Sequence, residues 1–234
     1  MAGCSLSITW LDDDLERLWR APADAPAFRK GAVEPRRAEA PVVADIMREI
    51  PQGGTASRGT AVCIADLIEA LAASLAEAEE MLGRIDAQAG NGDHGQGMAR
   101  GSRAAASAAR HAAASGAGAA TTLGLAGDAW ADRAGGTSGA LWGVALRAWG
   151  SALGDADAAR AADVGRGAEA ALTAITDLGG ARPGDKTLVD AMVPFVEALG
   201  AGITAGLDLA QAWSKAADRA TLAAEGTAKL RPRL

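Results

Sequence analysis

The chain has 234 residues, 49% of them apolar, and a formal net charge of −6. That is enough for one large or two small domains with a core of ordinary size. The acidic balance, with no basic stripe, argues against a nucleic-acid partner, and the dominance of Ala, with no Tyr and 2 Phe, favours helices over sheet.

Residues 4–10 alternate, with Leu6, Ile8 and Trp10 on one face, and predict a half-buried strand. No second clear strand follows, so its ladder partners are expected in a sheet encoded upstream. A short acidic helix is expected over Asp13–Arg20. The stretch from Ala21 to about Thr60 is rich in Ala, Pro, Gly and charge, as in an interdomain linker, with Ile46, Met47 and Ile50 suggesting one docking turn.

From Ala61 the pattern becomes helical: Ile64, Leu67, Ile68, Leu71, Leu75, Ala78, Leu82 and Ile85 recur at three- and four-residue steps. Further helices are predicted over 96–114, 119–132, 139–153, 157–177, 186–199 and 207–225. Short connections favour antiparallel neighbours, and the Ala run at 104–114 fits close helix contacts better than low complexity. No run approaches about 18 uninterrupted apolar residues and the start lacks a basic region leading into an apolar one, so neither membrane span nor signal peptide is expected. Cys4 and Cys63 show no CxxC spacing, which fits a reducing cytoplasm.

Three glycine-rich turns carry the chemistry. The first runs from Asp86 to Gly95 between two helices and contains a formal GxGxxG, Gly90 to Gly95. A dinucleotide fold needs a strand before that loop, and Asp93 stands where pyrophosphate would approach. An EF-hand fails because the oxygen ligands are not on alternate positions and no Glu closes the loop. Asp86, Asn91 and Asp93 can instead converge as hard oxygen ligands for Mg²⁺, leaving positions open for phosphate oxygens. Plain helix capping by Asp86 and Asp93 is the competing explanation.

The second turn, Gly135–Gly139, opens an apolar helix with Thr137 and Ser138, a setting that suits either an anion or an N-cap. The third, Gly179–Thr187, is no P-loop, since Asp185 separates Gly184 from Lys186 and no strand precedes it. Asp185 is expected as an N-cap, with Arg182 and Lys186 as candidate phosphate neighbours. His94 is placed near phosphates and His111 on the surface.

Together these turns resemble the L domain of dihydroxyacetone kinases, through Leu82–Asp86 and on to Gly95, Gly135–Gly143 and Pro183–Asp190. Ala2–Asp12 and Ala21–Phe28 resemble the end of that family's K domain. The resemblance implies a K-domain tail at 1–30, a linker at 31–57 and an L domain at 58–234 that the family pattern continues beyond, so the chain is expected to be cut at both ends. It implies an all-α, up-and-down barrel of about eight antiparallel helices with ATP and two Mg²⁺ ions at one end.

The metal ligands it implies are Asp86, Asn91 and Asp93, with nucleotide contacts from His94, Gly95, Gln96, Gly97, Thr137, Ser138, Gly179 and Leu188. The family carries Asp where this chain has Asn91, which implies weaker Mg²⁺ binding. The implied reaction is phosphoryl transfer from ATP to a short ketose, dihydroxyacetone or a tetrulose, held by a partner K domain through which a homodimer can form. No residue here is a convincing base for the sugar hydroxyl. The alternatives are the phosphotransfer-system L subunit, against which the K-domain tail argues, and a non-catalytic nucleotide-binding remnant.

Overall fold

The structure is a computed structural model that describes residues 9–25, 28–29 and 49–233. The chain divides into two compact units, Met1–Arg48 and Glu49–Leu234.

In the first unit, α1 spans Asp13–Arg20 as the sequence predicts. Asp12 caps it by accepting from the Leu15 amide at 2.8 Å, and acids in the first turn with Arg17 and Arg20 in the last complement the helix dipole. Of the strand expected at 4–10, residues 4–8 lie outside the described residues. Thr9 and Trp10 are irregular, with Trp10 95% exposed, so they do not form the half-buried end of a strand. The described sheet is instead a minimal antiparallel pair, β1 Asp24–Ala25 with β2 Phe28–Arg29. Ile46 and Met47 of the expected docking turn lie outside the described residues, and Ile50 is irregular and half-buried.

The second unit is all helical: α2 Thr55–Asp86, α3 His94–Ala114, α4 Ala119–Ala134, α5 Gly136–Leu153, α6 Ala161–Gly179, α7 Val189–Thr204 and α8 Leu209–Gly226. A 3₁₀ turn follows at Thr227–Lys229. Each helix packs on the next in sequence, and α2 also meets α4. This is the up-and-down arrangement that the short connections predict.

α2 begins six residues before the expected Ala61 because tertiary contacts, not periodicity, hold its first turn. Ser57 is fully buried, and its hydroxyl accepts from the Ala119 amide at 2.9 Å. Gly53 and Gly54 donate to the carbonyls of Gly116 and Asp155 at 2.9 and 2.7 Å. The α2 stripe is only half used: Ile64 and Ile68 are buried, whereas Leu67 is 70% exposed and Leu71 and Ile85 also face solvent. By length and composition α2 could cross a bilayer, but its Ile64–Ala65–Ile68 face packs into the core shared with α3 and α4.

The Ala run does make close contacts, with Ala105, Ala106, Ala109 and Ala112 buried on α3. Glycines serve the same end between α4 and α5, where a Cβ at Gly127 would stand 2.7 Å from the Gly143 carbonyl oxygen. Against these small residues the aromatic mass is concentrated at Trp149 of α5, which packs on all three buried clusters. Its ring centroid is 5.9 Å from that of Trp213, which in turn meets Phe195 edge-on at 5.0 Å.

α6 starts at Ala161 rather than 157, where Asp163 takes over the helix end. Its buried carboxylate accepts from the Arg160 amide at 2.9 Å and from the guanidinium groups of Arg160 and Arg166. The Arg160 side chain, then its amide, then Arg166 hold the carboxyl well below the usual carboxylate range. Because the folded value is depressed, the stabilisation is complete above the unfolded value of about 3.9 and is lost as pH falls toward the folded one. Asp163→Asn is therefore expected to lower the melting temperature between pH 5 and 7, with the gap to the parent closing as pH drops below about 4. Thermal unfolding across pH checks this.

Candidate functional site

Antiparallel connectivity places the α2–α3, α4–α5 and α6–α7 connections at one end of the bundle. Side-chain and backbone contacts join them. A Cβ on Gly97, in the first turn of α3, would lie 3.0 Å from the carbonyl oxygen of Ala134, the last residue of α4. A Cβ on Gly179, at the end of α6, would lie 3.2 Å from Leu141 Cδ2 on α5. The three glycine-rich turns thus form one surface, with the N-termini of α3, α5 and α7 opening onto it. The helix dipoles, with the first-turn amides of α3 and α5, make that surface favourable to anions, whereas at α7 the amides of Val189, Asp190 and Ala191 are already taken by Thr187 and Leu188.

The first turn is organised by Asp86, the last residue of α2. Its Oδ2 accepts from the Gly92 amide at 2.8 Å and from the His94 amide at 3.4 Å. Gly92 has a φ of +81°, and a Cβ on Gly90 would collide with the Asp86 carboxylate, so glycine is required at both positions for the loop to fold back. Asn91 Nδ2 donates to Asp93 Oδ2 at 2.7 Å. Asp93 occupies the N-cap position of α3 without a side-chain capping bond. Plain capping therefore does not account for Asp93, while Asp86 acts as a loop organiser with one oxygen. Its Oδ1 accepts no hydrogen bond among the described residues.

α3 begins at His94, two residues earlier than 96, which puts His94, Gly95, Gln96 and Gly97 in its first turn. Gly95 is buried against the α2 backbone, where a Cβ would collide with the Glu79 carbonyl oxygen. Gln96 is exposed and His94 half-buried. In the second turn, α5 starts at Gly136, so Thr137 and Ser138 belong to its first turn. The N-cap is Gly135, and neither hydroxyl is engaged in capping, which leaves both available at the surface. His111 is exposed on α3, as expected.

The third turn departs from expectation. α7 starts at Val189, three residues after the predicted 186, and its N-cap is Leu188; Asp185 does not cap it. Asp185 is buried and accepts from the Arg182 amide at 2.8 Å and from both ends of the Arg233 guanidinium at 2.6 and 2.7 Å. The capping work falls to Asp190, which accepts from the Gly184 amide at 2.5 Å and the Thr187 amide at 2.8 Å. Its signal was an acid in the first turn of a helix. Leu188 packs on the α5–α6–α7 core, and Gly179 is exposed. Lys186 donates through Nζ to the Leu230 carbonyl at 3.2 Å.

The donor set of the first turn is two carboxylates and an amide oxygen. Among the described residues no cluster of three His, Cys, Asp or Glu side chains forms. Hard oxygens on a glycine-rich loop fit Mg²⁺, which keeps several positions for water or phosphate and needs only one or two carboxylates.

An all-helical, up-and-down domain with glycine-rich turns gathered at one end is the class these features define. The family model of the DAK2 domain matches residues 88–234. The chain belongs to that family, the L domain of dihydroxyacetone kinases. It is 47% identical over 247 aligned residues to the D-erythrulose kinase of Mycolicibacterium smegmatis, covering 100% of this chain and 42% of that protein. It is 49% identical to the L-erythrulose kinase of Pectobacterium atrosepticum, covering 100% of this chain and 40% of that protein. Among solved structures, the dihydroxyacetone kinase from C. freundii, in complex with AMP-PNP and Mg²⁺, superposes with a TM-score of 0.57 at 26% identity, covering 94% of this chain and 38% of that one. The chain thus spans about two fifths of the length of the curated relatives it matches.

Proposed function

We propose that this chain is the nucleotide-binding part of an ATP-dependent ketose kinase. The observation that carries the reading is the gathering of three helix-opening turns at one end, the first closed by the Asp86 carboxylate on the amides of Gly92 and His94. Asp86, Asn91 and Asp93 would hold Mg²⁺, which when bound neutralises charge developing on the transferred phosphoryl group. Two ions are expected. The α3 and α5 N-termini, with His94, Gly95, Gln96, Gly97, Thr137 and Ser138, would orient the phosphates, and Gly179 and Leu188 would border the nucleotide from the third turn.

The relatives' names support a four-carbon ketose as acceptor over dihydroxyacetone. The AMP-PNP and Mg²⁺ of the C. freundii complex support ATP as donor, and a cytoplasmic location is proposed with them. Residues 1–30 would be the tail of a K domain followed by a linker, with the nucleotide-binding domain, expected over 58–234, extended back to Glu49, since Gly53, Gly54 and Ser57 bond into the helical unit. The ketose, and the base for its hydroxyl, would be supplied by the K domain. A homodimer would form through that domain.

The Asn91–Asp93 hydrogen bond favours a second reading, a nucleotide-binding module with little or no transfer activity. It occupies one carboxylate oxygen where the family pattern has a further acid. Asn91→Asp removes the amide donor and adds a charge, so it is expected to tighten Mg²⁺-dependent nucleotide binding about tenfold. Calorimetric titration of both chains checks this. Equal affinities would count against Asn91 as a metal ligand and in favour of the module.

A further inference from the structure

The third turn is tied to a segment far from it in sequence. After α8 and the 3₁₀ turn, the chain returns across the same end of the bundle, and Arg233 meets Asp185 in a two-pronged ion pair, Nε to Oδ1 at 2.6 Å and Nη2 to Oδ2 at 2.7 Å. The Arg233 amide also donates to the Asp185 carbonyl at 3.4 Å, and Lys186 Nζ reaches the Leu230 carbonyl at 3.2 Å. Residues 230–233 therefore grip two adjacent residues of the turn through side chain and backbone alike.

The turn needs such a grip. Lys186 has a φ of +61°, in the left-handed region that a side-chain-bearing residue adopts only where its surroundings impose it. Gly184 precedes it at +95°. Asp190 holds the amides of Gly184 and Thr187, but nothing within the turn fixes the Asp185 side chain except the Arg182 amide. Asp185 lies almost wholly out of solvent, so without Arg233 its charge would stand in the turn with one hydrogen bond.

We propose that Arg233 is a positioning residue for the nucleotide site. It holds the Arg182–Thr187 turn in the shape that turns the start of α7 and Arg182 toward the phosphates, without touching the nucleotide itself. Arg in place of Lys matters here because the planar fork engages both oxygens of Asp185, whereas an ammonium would be a single point of contact. The Arg233 guanidinium, and after it the Arg182 amide, also lower the Asp185 carboxyl from its ordinary value, so the pair stays ionised through the neutral range. This inference rests on the nucleotide reading above.

The test uses the full 234-residue chain with Mg²⁺ and the non-hydrolysable analogue AMP-PNP, and compares the parent with Arg233→Gln, Arg233→Lys and, as a neighbouring control, Arg231→Gln. Calorimetry reads affinity, and hydrogen exchange reads the amides of Arg182 and Gly184–Thr187. Arg233→Gln is expected to weaken binding about tenfold, the scale of a lost orienting contact, and to speed exchange at those amides while leaving the buried part of α7 protected. Arg233→Lys should recover part of the affinity, and Arg231→Gln should match the parent. A parent that binds, with Arg233→Gln binding equally well and exchanging no faster in the turn, overturns the positioning role alone. A parent that binds no nucleotide overturns the reading beneath it, and the positioning role falls with it.

Discussion

Asp86→Asn is expected to remove most Mg²⁺-dependent nucleotide binding. The substitution deletes one of only two carboxylates on the first turn and reverses part of its wiring. Asp86 Oδ2 accepts from the Gly92 and His94 amides, and an amide side chain offers a single acceptor oxygen with no charge. Losing a partner that merely orients a metal ligand lowers metal affinity about 10–100-fold, so losing a ligand that also shapes the loop should reach at least the upper end of that range. Helix content should change little, since α2 precedes the loop and is held along its length by α3. Nucleotide titration at fixed Mg²⁺, with far-UV circular dichroism, checks both parts, and near-parental affinity would remove Asp86 from the site.

The second large effect is expected at Gly95, and it is structural first. A methyl group there would collide with the Glu79 carbonyl oxygen and crowd the Gly83 amide nitrogen at 3.0 Å, both backbone atoms of α2. Backbone cannot swing aside as a side chain does, so α3 must move away from α2. Overpacking of this kind costs about 1–3 kcal/mol, which in a domain of this size lowers the melting temperature by roughly 3–10 °C. Because His94, Gln96 and Gly97 ride on the same turn, nucleotide affinity should fall with it. Gly59→Ala supplies the contrast: a Cβ there meets nothing within 4 Å, and Ala in a helix interior is favoured over Gly by about 1 kcal/mol. The same change is thus expected to destabilise at Gly95 and stabilise at Gly59. Thermal unfolding of the two variants checks the opposite signs.

Much of this was legible in the sequence where one segment contains its own cause. Asp12 followed by acids and then Arg17 and Arg20 specifies α1 locally, and the glycine-rich turns announce helix ends through positions that need a positive φ or a missing Cβ. What escaped depends on contacts between distant residues. The start of α2 is set by Ser57 meeting Ala119, 62 positions away, and the shape of the third turn by Arg233, 48 positions from Asp185. A capping rule applied to Pro183–Lys186 selects Asp185, yet Lys186 in the left-handed region delays the helix to Val189 and hands the amides to Asp190. At Trp10 the alternation is present in the sequence, yet among the described residues its side chain stays exposed.

Before anything else, these turns must bind a nucleotide. Calorimetric titration of the 234-residue chain with ATP, with and without Mg²⁺, addresses that step alone, since it needs neither ketose nor K domain. Saturable binding that depends on Mg²⁺ is the predicted result. Absence of binding at millimolar ATP with Mg²⁺ present, in a chain that remains helical, would contradict the assignment of this end of the bundle as a nucleotide site.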